Sequence, residues 1–177
     1  MKITFLSNVP QVGTFRLGSH HLAREMSALG HSVCHVSTPV SRWELATSKE
    51  VSSRRMMLKG KPLAAGKADL ARGGAYIDDG SVTHYSPVPW LPVRIYHNSK
   101  AVTGCLSAVG FDDSDVVLID QLHLSSALKG YEGTIVYRPT DVVPDGFGRD
   151  LQRKVVAMAS GIERSRRTWP RAGPNCN

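Results

Sequence analysis

The sequence predicts an α/β protein: one domain built on a doubly wound parallel sheet with helices on both faces. Three observations lead there. The first forty residues read strand, glycine-containing loop, amphipathic helix, strand. Asp115-Val116-Val117-Leu118-Ile119-Asp120 is a continuous apolar run, the pattern of a strand covered on both faces. Thr134-Ile135-Val136-Tyr137 repeats that pattern after a short helical stretch. Strands alternating with helices require crossover connections, and these make parallel sheets.

Lys2-Ile3-Thr4-Phe5-Leu6 is the first strand, a short apolar run bounded by turn formers. In the helix that follows, Leu22, Met26 and Leu29 recur at i, i+4 and i+7, which gives one core-facing stripe. Ser19 is the expected N-cap, and Gly30 the expected stop, because a helix end favours a residue tolerant of positive φ. Ser32 to Ser37 then reads as a strand closed by Thr38-Pro39.

From Ser41 to Ala75 the pattern weakens. The stretch is polar and basic, with breaks at Gly60, Pro62, Gly66, Gly73 and Gly74. It reads as a long connection, with a helix expected around Glu44 to Leu58. Ser81 to Tyr85 alternates as a strand, and Pro87, Pro89 and Pro92 forbid its continuation at the sheet centre. A helix is expected from Val93 to Val109, ending at Gly110. After the apolar strand at 115–120, further helices are expected over Leu124–Lys129 and Asp150–Ala159.

Composition bounds the function. The chain has 177 residues, 41% hydrophobic and 21% charged, as in globular domains. No apolar run approaches a membrane span, and the start reads as a strand rather than a signal peptide, so a cytoplasmic location is the expectation. Cys34, Cys105 and Cys176 are far apart and lack metal-ligand spacing; Cys34 and Cys105 read as small hydrophobes in a reducing compartment. The net charge is +7, and four arginines against one glutamate crowd into residues 161–177. No aromatic-interleaved basic stripe accompanies them, so nucleic acid is not the expected partner.

The loop between the first strand and helix carries the chemistry. Ligands of open parallel sheets bind beyond the carboxyl ends of the strands, where a helix N-terminus offers free N–H groups to an anion. Gly13 and Gly18 permit close backbone approach. The spacing is neither Gly-x-Gly-x-x-Gly nor a Walker loop. The neighbours His20 and His21 invite a metal reading. Adjacent helical residues point apart, however, and no third ligand is evident from the sequence, so no metal site is expected.

Phe5-Leu6-Ser7-Asn8, then Gly18-Ser19-His20-His21-Leu22-Ala23-Arg24-Glu25, then Leu29-Gly30-His31-Ser32-Val33 resemble the start of GT-B glycosyltransferases, in particular the GT4-like group. In that family this Rossmann-like unit opens the acceptor-side domain. The resemblance extends more loosely to Asp115–Asp120 with the nearby His123, and to Val136-Tyr137-Arg138-Pro139-Thr140-Asp141. It implies a rim of strand ends facing a sugar-transfer cleft, with a nucleotide-sugar as co-substrate and no metal cofactor. On that rim His123 or Asp120 would polarise an acceptor hydroxyl as general base. Asp141 would orient the sugar, and Arg16 and Arg138 would offset phosphate or carboxylate charge. Gly13, Gly18, Ser19 and His20 would line the ligand from the loop and helix start.

Each of these residues also has a purely structural reading. Asp120 can cap a turn, His123 can be a satisfied ring, and Asp141 can fix the loop before Pro144. The family uses two Rossmann-like domains, whereas residues 1–160 fit one. The expectation is therefore an acceptor-side half that binds a sugar acceptor and needs a second domain or chain for donor binding and catalysis. Residues 161–177 lose hydrophobic periodicity; they read as a disordered basic tail or the product of an altered reading frame, with room for contact at the inner membrane face. The alternatives are a nucleotide-binding Rossmann protein of another class, disfavoured by Ser37, Thr38 and Ser41 where a ribose-binding acid would stand, and a non-catalytic binding fragment.

Overall fold

The computed structural model describes residues 1–7, 18–39, 41–43, 66–69, 74–78, 80–89, 100–107, 109–120, 122–139, 147–159 and 161–162. The protein is α/β and Rossmann-like. Its elements are β1 (Lys2–Leu6), α1 (Gly18–Ala28), β2 (Ser32–Val36), β3 (Gly66–Asp69), β4 (Gly74–Asp78), β5 (Val82–Pro87), α2 (Lys100–Ser107), β6 (Val116–Ile119), β7 (Thr134–Tyr137), α3 (Phe147–Met158) and β8 (Gly161–Ile162). Short 3-10 helices span Phe111–Asp113 and Leu122–Leu128.

The strands form one sheet in the order β3-β4-β5-β2-β1-β6-β7-β8. The run β5-β2-β1-β6-β7 is parallel throughout, and β8 extends it. From β1 the chain moves one way to β2 and β5, then returns to the other side of β1 for β6, β7 and β8. The direction of winding therefore reverses between β1 and β6, which is the topological switch point of this sheet.

Alternation along the parallel strands separates two cores. Ile3 and Phe5 of β1, Val33 of β2 and Val82 of β5 pack with Ala23, Leu22 and Met26 of α1 on one face. Leu6, Val36, Tyr85, Val117, Ile119, Ile135 and Tyr137 face the other way, against Leu106 of α2, Leu124 and Leu128 of the second 3-10 helix, and Val155 of α3. Strand β6 is covered on both sides, Val116 and Leu118 against the first core and Val117 and Ile119 in the second, which is why it reads as a continuous hydrophobic run. Cys34 lies between Val33 and His35 and packs with the second core; burial pushes its thiol up to about 12.

Gly30 ends α1 as expected. Its φ is 87°, its N–H donates to Ser27 O at 2.9 Å, and the His31 N–H donates to Met26 O at 3.2 Å. These two bonds close a Schellman motif.

Several expectations change. The helix starts at Gly18, so Ser19 is not its N-cap but a buried residue of its first turn. Within the stretch read as a connection, β3 and β4 form an antiparallel pair that joins the sheet through β5. Helix α2 begins at Lys100, where a helix was expected from Val93; residues 90–99 lie outside the described ones. Residues 161–162, the first two of the stretch set apart as a tail, pair with β7. The helix expected near Glu44 to Leu58 also lies outside the described residues. Among the described residues no helix is long and apolar enough to cross a membrane.

Candidate functional site

Parallel alignment brings the carboxyl ends of β1, β6 and β7 side by side, and the residue after each strand meets its neighbours. Ser7 follows β1, Asp120 follows β6 and Arg138 follows β7. The Arg138 guanidinium donates from Nη2 to Asp120 Oδ2 at 3.0 Å. The Ser7 hydroxyl donates to the same oxygen at 3.3 Å across the switch point. Backbone bonds fix these positions: Asp120 N donates to Leu6 O at 3.1 Å, and Arg138 N to Ile119 O at 2.9 Å. The two charged side chains are only 9% and 17% exposed for Asp120 and Arg138 respectively.

The other carboxylate oxygen, Asp120 Oδ1, is buried and has no hydrogen-bond partner among the described residues. A buried acceptor that stays unpaired is costly, and a donor placed beside it would relieve that cost. Burial pushes the Asp120 carboxyl above the usual range, against the opposing hydrogen bonds and charge of Arg138 and the bond from Ser7.

The first turn of α1 closes the other side. A Cβ on Gly18 would stand 3.6 Å from Arg138 Nη1, so the helix start lies directly against the guanidinium. Ser19 is fully buried and its hydroxyl lies 2.8 Å from that of Ser7 and 3.3 Å from His35 Nε2. The bonds therefore run without a break from Arg138 through Asp120, Ser7 and Ser19 to His35.

His35 belongs to a cluster of three imidazoles. His20 of α1 stacks on His35 of β2 with ring centroids 4.2 Å apart, and His84 of β5 stands 5.5 Å from His35 and 5.9 Å from His20. One ring nitrogen from each lies within 4.8 Å of the other two, a geometry that could hold a metal ion. All three are buried, at 1–3% exposure. Burial, then the neighbouring His20 and His84 and the charge of Arg138, push the His35 pKa down to about 2, so the ring is neutral.

The structure thus brings together Asp120, Arg138, Gly18, Ser19 and His20. His123 lies in the 3-10 helix after β6, with its side chain outside the described residues, as are Gly13, Arg16 and Asp141. Neighbouring His20 and His21 do diverge, one buried and one exposed. The companions of His20 come from two strands instead. Sequence reasoning missed Ser7, His35 and His84. The available signal was polar residues at inward positions of strands: His35 alternates with Val33, and His84 with Val82.

No protein-family model matches the chain, and no curated protein is significantly similar to it.

Proposed function

We propose that this domain binds a hydroxyl-bearing, sugar-like acceptor at the rim formed by Ser7, Asp120 and Arg138, as the acceptor-side half of a GT-B, GT4-like glycosyltransferase. The observation that carries the reading is the division of labour on Asp120. Its Oδ2 is held by Arg138 and Ser7, while its Oδ1 is buried with no hydrogen-bond partner among the described residues. A ligand hydroxyl supplies that partner. The Arg138 guanidinium, beside the α1 N-terminus, suits an anionic group on the same ligand.

In transfer, the acceptor oxygen would bond to the anomeric carbon of a nucleotide-sugar held by a second domain or chain. The bond from that carbon to the nucleoside diphosphate breaks, and the diphosphate leaves with the electron pair. The acceptor proton passes to Asp120, whose carboxyl is shifted upward by burial and so is a stronger base than an exposed aspartate. The likeness of the Phe5–Asn8 and Gly18–Val33 segments to that enzyme group supports the same reading.

Calorimetric titration of the purified chain with monosaccharides, sugar phosphates and nucleotide-sugars tests it. The expected result is binding of a sugar or sugar phosphate with negligible affinity for nucleotide-sugars. Tight nucleotide-sugar binding would assign the domain to the donor side instead, and no binding by any member of the panel would overturn the proposal.

A further inference from the structure

The three histidines stand beneath the rim, on the face where the other inward positions are Ile3, Phe5, Val33 and Val82. Three imidazoles in such surroundings carry a desolvation cost that apolar side chains would avoid. They come from three elements, α1, β2 and β5, so their convergence is a property of the tertiary fold and not of one local motif. We propose that His20, His35 and His84 bind a single divalent transition-metal ion of the zinc class, tying the first turn of α1 to the sheet.

The donor set favours this. Three neutral imidazoles suit zinc, copper, iron or nickel, and three protein ligands leave a position open to water. Cys34 faces the opposite core, so no thiolate joins them. The bond between Ser19 Oγ and His35 Nε2 supplies the outer support that metal-ligating histidines use. In the tautomer that donates from Nε2 to Ser19, the lone pair of His35 lies on Nδ1, which is buried and has no hydrogen-bond partner among the described residues.

Metal–nitrogen bonds of about 2.0–2.1 Å require the ligand atoms to draw together from their present spread of up to 4.8 Å. Binding therefore requires side-chain rotations that bring the three nitrogens closer than they stand here. The hydrogen-bonded path from His35 through Ser19 and Ser7 to Asp120 links this site to the rim, but the inference does not depend on what the rim binds.

The test is titration of the chelator-treated full chain with Co²⁺, followed by displacement with Zn²⁺. One equivalent of Co²⁺ should bind with the visible ligand-field bands of a low-coordinate nitrogen site and be released by Zn²⁺. His35→Phe and His84→Phe, checked for native circular dichroism, should weaken binding at least a hundredfold, while His21→Ala leaves it unchanged. On the unaltered protein, Zn²⁺ should shift the imidazole ¹⁵N resonances of His20, His35 and His84 and not those of His21 and His31. This second readout stands even where a variant does not fold. Absence of stoichiometric Co²⁺ binding overturns the proposal. So does loss of binding in His21→Ala, or ¹⁵N shifts confined to His21 and His31.

Discussion

The Arg138 guanidinium donates to Asp120 Oδ2 at 3.0 Å, and this bond joins the ends of two adjacent parallel strands beside the switch point of the sheet. Neither charge has much water around it, so each depends on the other. Arg138→Met leaves a buried carboxylate with Ser7 as its one remaining side-chain donor among the described residues. Removing one partner of a largely buried pair costs about 2–4 kcal/mol. Denaturant unfolding at pH 7 should show that loss, and it should shrink at acid pH as Asp120 takes up a proton.

The second prediction concerns pH. The pKa of His35 falls from 6.5 in the open chain to about 2 in the fold. Between those values the unfolded state binds the extra proton, so stability is fully present above about pH 6.5 and declines as pH falls. The slope from one such group approaches about 1.4 kcal/mol per pH unit. His35→Phe, which keeps a ring against Phe5 and His20, should flatten the stability profile below pH 6.5. An unchanged slope would show that His35 is not the titrating group.

Gly133 provides a steric prediction. A Cβ there would run into the Tyr131 hydroxyl and stand 3.0 Å from Asp115 O. The Tyr131 hydroxyl donates to Ser114 O at 2.6 Å, and its ring lies against Phe111 at 5.4 Å. Gly133→Ala should displace the ring and break that bond, at a cost of about 1–3 kcal/mol. Thermal unfolding with and without Tyr131→Phe measures it. The double variant should lose less than the two single losses combined, because each single variant already loses the same bond to Ser114 O.

Gly18 behaves differently. Its hypothetical Cβ makes only ordinary contact with Arg138 at 3.6 Å. Gly18→Ala should be tolerated, gaining up to about 1 kcal/mol from helix propensity. Gly18→Leu should push the guanidinium off Asp120 and reproduce part of the Arg138→Met loss. Equal stability of the alanine and leucine variants would contradict the close approach of α1 to Arg138.

The parallel core was legible because its signals are local and strong. Val116 to Ile119 and Thr134 to Tyr137 are apolar at every position or nearly so, and Gly30 stands where the helix needs positive φ. The β3–β4 pair was not legible. Gly66-Lys67-Ala68-Asp69 has little strand propensity, and its place in the sheet is supplied by β4, which itself pairs with β5, rather than by its own residues. The rim was half legible. Asp120 and Arg138 follow recognisable strands, so their meeting is a matter of strand order. Ser7 and the histidine cluster depend on which face each strand turns toward α1, and His35 and His84 lie forty-nine positions apart in a sequence that gives no sign of their contact.

The central claim is that Asp120 Oδ1 receives a ligand hydroxyl. Calorimetric titration of wild type and Asp120→Asn with the tightest-binding sugar or sugar phosphate of the panel tests it most directly. Asparagine keeps the shape and still accepts from Arg138, but it loses the carboxylate charge. The account predicts at least tenfold weaker binding by the variant, about 1.4 kcal/mol. Equal affinity in the two proteins would contradict it.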